Sequence, residues 1–138
     1  MKRITAIALF ALAGALGAGH AFAQVHAVRA TMPFGFTVGT KLLPPGTYTI
    51  TPVSDSVIAI QNRDMHFSML IPAIPNGKME NSAQLVFDKY AGHYFLRQII
   101  GGPTAMNVDL PVTKSEKKAR LQEASVGNQS QVFLAASE

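Results

Sequence analysis

Cysteine is missing from all 138 residues. The absence excludes a disulfide framework, a thiolate metal site, a thiol nucleophile and the acylated cysteine of a lipoprotein anchor. Stability has to come from packing. Charge is also scarce, at 14% of residues, with 12 Lys and Arg against 8 Asp and Glu. So weak a basic excess excludes the electrostatic footprint of a nucleic-acid binder. Long apolar runs are nearly absent too. The one that exists, Ile4 to Ala18, follows Lys2 and Arg3 and precedes Ala21-Phe22-Ala23. A charged start, an apolar core and a small-x-small end make a secretory signal peptide, expected to be cut after Ala23. The run stops at Gly19-His20, short of the roughly 20 apolar residues a membrane helix needs. The mature chain is therefore expected in the periplasm or outside the cell, without a transmembrane segment. Lys2 and Arg3 leave with the peptide, so the net charge falls from +4 to +2.

What is present reads as strands. Val28, Ala30, Met32, Phe34 and Phe36 fall on every second position, the period of a strand with one buried face. Pro33 lacks a ladder donor, which places this strand at an edge or breaks it there. In Leu42-Leu43-Pro44-Pro45-Gly46-Thr47, Pro45 and Gly46 suit the two central positions of a type II turn, with "TYTITPV" launched as a strand behind it. Four more segments follow, Ser56 to Asn62, His66 to Ile74, Ala83 to Tyr90 and His93 to Ile100, each bounded by Gly, Pro, Asn or Asp. Ala91-Gly92 predicts a hairpin with Gly92 in the left-handed region and with Phe87, Tyr90, Tyr94 and Phe95 in cross-strand contact.

Beyond Gly101-Gly102-Pro103 the texture changes. Thr113 followed three residues later by Glu116 predicts a capped helix over 113–124. Lys114, Lys117, Lys118 and Arg120, mixed with Glu116 and Glu123, read as a solvated face, so the helix covers an end of the sheet. The tail, residues 125–138, ends in the apolar stretch Val132 to Ala136, a last strand or a mobile arm. Residues 24–124 are thus expected to form one all-β domain, an antiparallel β-sandwich or partly open barrel of about seven strands with one C-terminal helix.

Chemistry is sparse. His26, His66 and His93 show no metal-ligand spacing, and Met65, His66 and Met69 make a thin grouping for copper. The aspartates sit mainly at turns, no serine lies in a G-x-S-x-G elbow, and neither "VGT" nor "GGPT" has the spacing or lysine of a phosphate loop. No catalytic residue, metal ligand or cofactor is expected. The tyrosines Tyr48, Tyr90 and Tyr94 are the candidates for an aromatic face that stacks on a sugar or small ligand, against the plainer role of closing the ends of the core.

The segments "PFGFTVGTKLLPPGTYTI", "LVFDKYAGHYFLRQI" and "LPVTKSEKKARL" carry F-x-F-x-V-G, L-P-x-G-x-Y, L-x-F-x-x-Y with Y-F-L, and L-P-x-S/T-x-S-E. In order and spacing this set resembles a group of small exported bacterial β-rich proteins with no assigned function. The resemblance covers most of Val28 to Glu123 and implies an exported β domain; it brings no catalytic residue. The tail from Ser125 is longer than is usual in that group. A non-catalytic envelope or extracellular protein is the expectation, binding an unidentified protein partner, a cell-envelope polymer or its own copies by strand addition.

Overall fold

The computed structural model describes residues 27–78, 80–102, 106–125 and 130–137. The expected signal peptide and His26 lie outside the described residues. The chain runs β1 (Val28–Met32), β2 (Phe36–Val38), β3 (Lys41–Leu43), β4 (Gly46–Ser54), β5 (Val57–Asn62), β6 (Phe67–Pro72), β7 (Ile74–Pro75), β8 (Ala83–Tyr90), β9 (His93–Gly101), β10 (Asn107–Asp109), α1 (Lys114–Ala124) and β11 (Ser130–Ala135). These form two sheets. One is ordered β1-β4-β5-β6, the other β11-β8-β9-β10-β7, with the β2–β3 hairpin joined to β9 by a parallel bridge between Thr37 and Phe95. The all-β class with one helix is as the sequence predicts. Strands are more numerous than expected because two anticipated segments are split between sheets and two short strands, β3 and β10, have no counterpart among the segments read from the sequence.

The first split is at Pro33. Met32 ends β1 in the four-stranded sheet and Phe36 opens β2 in the other, as a missing ladder donor allows. The second is at Ala73, where β6 in one sheet passes straight into β7 in the other. The sheets meet again through Arg29 and Ser137, which exchange backbone hydrogen bonds of 2.6 and 2.8 Å. Two seams therefore curl the strands into a partly closed barrel.

Pro44 and Pro45 form a third crossing. They carry the chain from β3 to β4, that is, from one sheet to the other. The Tyr48 hydroxyl donates to the Pro44 carbonyl at 2.7 Å and pins this corner. The expected type II geometry is not what forms: Gly46 has φ 158°, close to extended, and is already paired with Met32 in β1. Glycine is needed there for space, because a Cβ would lie 2.9 Å from Asn62 Nδ2.

The core lies between the curled sheets and follows the period of two. Val28, Ala30 and Met32 of β1, Phe36 and Val38 of β2, and Tyr48 and Ile50 of β4 are buried, with Leu85 and Phe87 of β8 and Leu96 and Ile99 of β9 opposite. Burying each large side chain contributes about 1.5–3 kcal/mol. At the β8–β9 turn, Ala91 and Gly92 have φ 49° and 78°, the pair of positive values a type I′ turn requires.

Of the two readings open for Val132 to Ala136, the strand is the one that forms. β11 pairs antiparallel with β8, setting Val132 against Phe87 and Leu134 against Leu85. Val132, Leu134 and Ala136 pack against the core while Phe133 faces out. Among the described residues no helix is long and apolar enough to cross a membrane.

Candidate functional site

Asp88 and Tyr90 are neighbours on the outer face of β8, since residues two apart in a strand share a face. Across the ladder Phe87 pairs with Leu96 but Val86 with Gln98, so Arg97 is the extra residue of a β-bulge in β9. A bulge re-aims the side chain it carries. Arg97 Nε lies 3.8 Å from Asp88 Oδ2, and its Nη1 lies 3.7 Å from Glu116 Oε2 while donating to the Leu110 carbonyl at 2.8 Å.

The helix supplies the other half. Thr113 is the N-cap, its Oγ1 accepting from the Glu116 amide at 3.3 Å. That start fixes the helical phase so that Glu116 and Arg120, one turn apart, both face the sheet. Arg120 Nη2 lies 3.4 Å from Glu116 Oε1 and 4.0 Å from Asp88 Oδ2. Its guanidinium also stands 5.1 Å from the centre of the Tyr90 ring, within cation–π range. Gln131 of β11 donates to Asp88 Oδ1 at 3.0 Å, and the Tyr90 hydroxyl donates to Asp88 Oδ2 at 3.3 Å. Glu123, at the far end of α1, accepts from the Ala91 amide at the hairpin turn.

Two guanidiniums and two carboxylates thus alternate around a ring spanning β8, β9 and α1, with β11 tied on by Gln131. Burial is deep: the Glu116 side chain is 3% exposed and that of Asp88 12%. Burial raises the Glu116 carboxyl above its ordinary value, with Asp88 adding to the shift and Arg97 and Arg120 opposing it. Tyr90 is raised for the same leading reason, the Asp88 charge again contributing. A general acid or nucleophile must reach a substrate. Here each carboxylate already faces two guanidiniums, and Glu116 is closed off from solvent. What this arrangement does well is hold a polar helix against a sheet.

The three tyrosines do not come together as a face. Tyr48 is fully buried, edge-on to Phe36 at 5.1 Å. Tyr90 is buried beneath Arg120 and beside Phe95. Tyr94, half-buried, stacks on Phe34 at 4.0 Å, with Lys89 Nζ 5.4 Å from its ring. Phe34 meets Phe87, which meets Phe36, so a chain of edge contacts links Tyr94 inward to Tyr48. Each of the three rings packs against a phenylalanine, and alternation places Tyr48 and Tyr94 on the core side of their strands. Tyr90 faces the other way and is roofed by the helix.

His66 and His93 are exposed, at the β5–β6 turn and the start of β9. Among the described residues no three His, Asp or Glu side chains stand together as metal ligands would. An open cavity of about 580 Å³ lies between the β4–β5 hairpin and β7–β10, lined by apolar Pro52, Val53, Ile58, Pro75, Met106 and Val108. The Asn107 side chain at its edge already holds the Gly101 amide and the Lys78 carbonyl. Reasoning from the sequence missed Arg97, Glu116 and Arg120 as partners; the signal available was the capping box, which commits Glu116 to the first turn but not to a neighbour.

A comparison with protein-family models, with curated proteins and with solved structures finds no match to this chain.

Proposed function

We propose that the mature chain is a non-catalytic exported protein of the cell envelope or extracellular space, with a structural or partner-binding role exercised by strand addition or self-assembly. The observation that carries this reading is the four-stranded sheet ending on β6, which no other described strand pairs on its outer side. An unpaired strand edge is a template for another chain. The charge-rich cluster supports the non-catalytic half of the reading, since its two buried carboxylates are each paired with two guanidiniums. The signal-like leader supports export.

Neither β1 nor the C-terminal strand offers the same opening. β1 is an edge, but Ser137 occupies its Arg29, and the tail is taken by β8. Size-exclusion chromatography with light scattering on residues 24–138, over a wide dilution series, tests the reading together with fractionation of cells carrying the full chain. Assembly that weakens on dilution, with protein in the envelope or medium, is the expected result. A monomer at every concentration that captures no envelope protein or polymer overturns it.

A further inference from the structure

Four strand edges among the described residues carry a device against pairing. β7 is two residues long and ends in Pro75, and β3 is three residues long and carries Lys41. β1 and β11 converge where Arg29 and Ser137 bond, which leaves no room for a strand between them. β6 is different. From Phe67 to Ile71 it has five consecutive residues without charge, proline or glycine, paired to β5 on one side alone among the described strands. Its two ends are defined: His66 turns the chain at φ 51° before it, and Pro72, which has no amide to donate, closes it.

Resting on the assembly reading above, we infer that β6 is the self-association edge and that its occupant is β6 of a second copy, antiparallel about a two-fold axis at Met69. The two-fold is the commonest symmetry of soluble oligomers and brings one patch against itself. Centred on Met69, the register sets Phe67 opposite Ile71 of the second copy and Ser68 opposite Leu70 of the second copy. Phe67 and Met69 are half-buried and lean on the core, so the core is covered incompletely along this edge. A second β6 supplies the missing cover. On the outer face Leu70 is 63% exposed; in this register the two Leu70 side chains become diagonal neighbours, within reach of long side chains. The side chains of the segment itself carry no charge, so none of them would meet a like charge across the two-fold; Lys41 Nζ stands 5.3 Å from the Phe67 ring at its N-terminal end. The two four-stranded sheets then run on as one.

The cysteine-free chain makes the register directly testable. Residues 24–138 with Met69→Cys should cross-link to a dimer under mild oxidation, since residues directly opposite across a ladder approach closely enough for a disulfide. Ser68→Cys and Phe133→Cys should not. Leu70→Lys, at an exposed position where the fold tolerates charge, should weaken the dimer roughly tenfold or more by placing like charges across the axis. Circular dichroism and a urea melt of each variant confirm folding, and Leu70→Thr is the second probe if the lysine variant does not fold. An assembly that survives both Leu70 variants and dissociates with Phe133→Lys overturns β6 while leaving the assembly reading in place. A monomer at all concentrations overturns β6 as a self-association edge, and overturns the reading above as well if the chain captures no envelope protein or polymer. Retention of an unrelated extended peptide by a monomeric chain, lost with Leu70→Lys, overturns the second copy as occupant.

Discussion

Ala91 holds φ 49° with a Cβ attached, a region in which side chains other than those of Gly, Asn and Asp are strained. Replacing it by glycine or asparagine keeps the amide that Glu123 accepts and should stabilise the domain by about 0.5–1 kcal/mol, read as a higher urea midpoint at unchanged slope. Gly46 should respond in the opposite sense. Its replacement by alanine puts a methyl 2.9 Å from Asn62 Nδ2, and Asn62 is a buried side chain whose Oδ1 caps the Met65 amide. Overpacking of this kind costs about 1–3 kcal/mol, to be seen in the same titration. Glu116 gives a prediction about pH. Its carboxyl is raised in the folded state, first by burial, so the fold binds that proton more tightly than the unfolded chain does. Between the ordinary carboxylate value and the raised one, Glu116 therefore lowers stability as pH increases. Glu116→Gln removes this slope. The stability of the variant relative to wild type should rise from about pH 4 to pH 7, measured by urea unfolding at each pH; a difference independent of pH would show that Glu116 titrates as an exposed carboxylate does.

At the scale of elements, the helix is held by charge more than by apolar contact. Its buried residues are Glu116 and Ala119, and Leu121 is 75% exposed. Arg97→Met should therefore cost about 3 kcal/mol at neutral pH by leaving a buried carboxylate short of a partner, and less in acid, where Glu116 is neutral. The double variant with Glu116→Gln should recover most of that loss; a chemical-denaturation cycle at two pH values checks it. This region was the least legible in the sequence. Arg97 occupies a place in β9 that alternation assigns no special role, and the bulge that turns it arises from a mismatch between two strands, which no single segment encodes. Arg120 reads as one of four basic residues on a solvated face; three of them, Lys114, Lys117 and Lys118, are so. Local signals fared better. Gly92 in the left-handed region, Thr113 as a cap and the alternation from Val28 each depend on a few adjacent residues, and each is found where those residues put it. Of the three tyrosines only Tyr94 is half-buried as a boundary residue would be; Tyr48 and Tyr90 are buried, because which side of each strand a ring takes depends on the elements packed above it.

For the molecule as a whole, the class was readable and the sheet exchanges were not. The segment from His66 to Ile74 looks like one strand, whereas Ala73 divides it between two sheets. Removal of β11 by stopping the chain at Ser125 should expose the β8 edge with Leu85, Val86 and Phe87, all buried. The shortened protein should melt earlier and aggregate, by light scattering during a thermal ramp, where the full chain stays dispersed. The Arg29–Ser137 seam bears on the order of events in a cell. Its two residues are 108 positions apart, so closure waits on one of the longest loops the chain can form, and loop entropy opposes such contacts until the rest is in place. A ribosome releases the chain from its N-terminal end. Until residue 137 is free, the barrel therefore keeps an open side along Arg29.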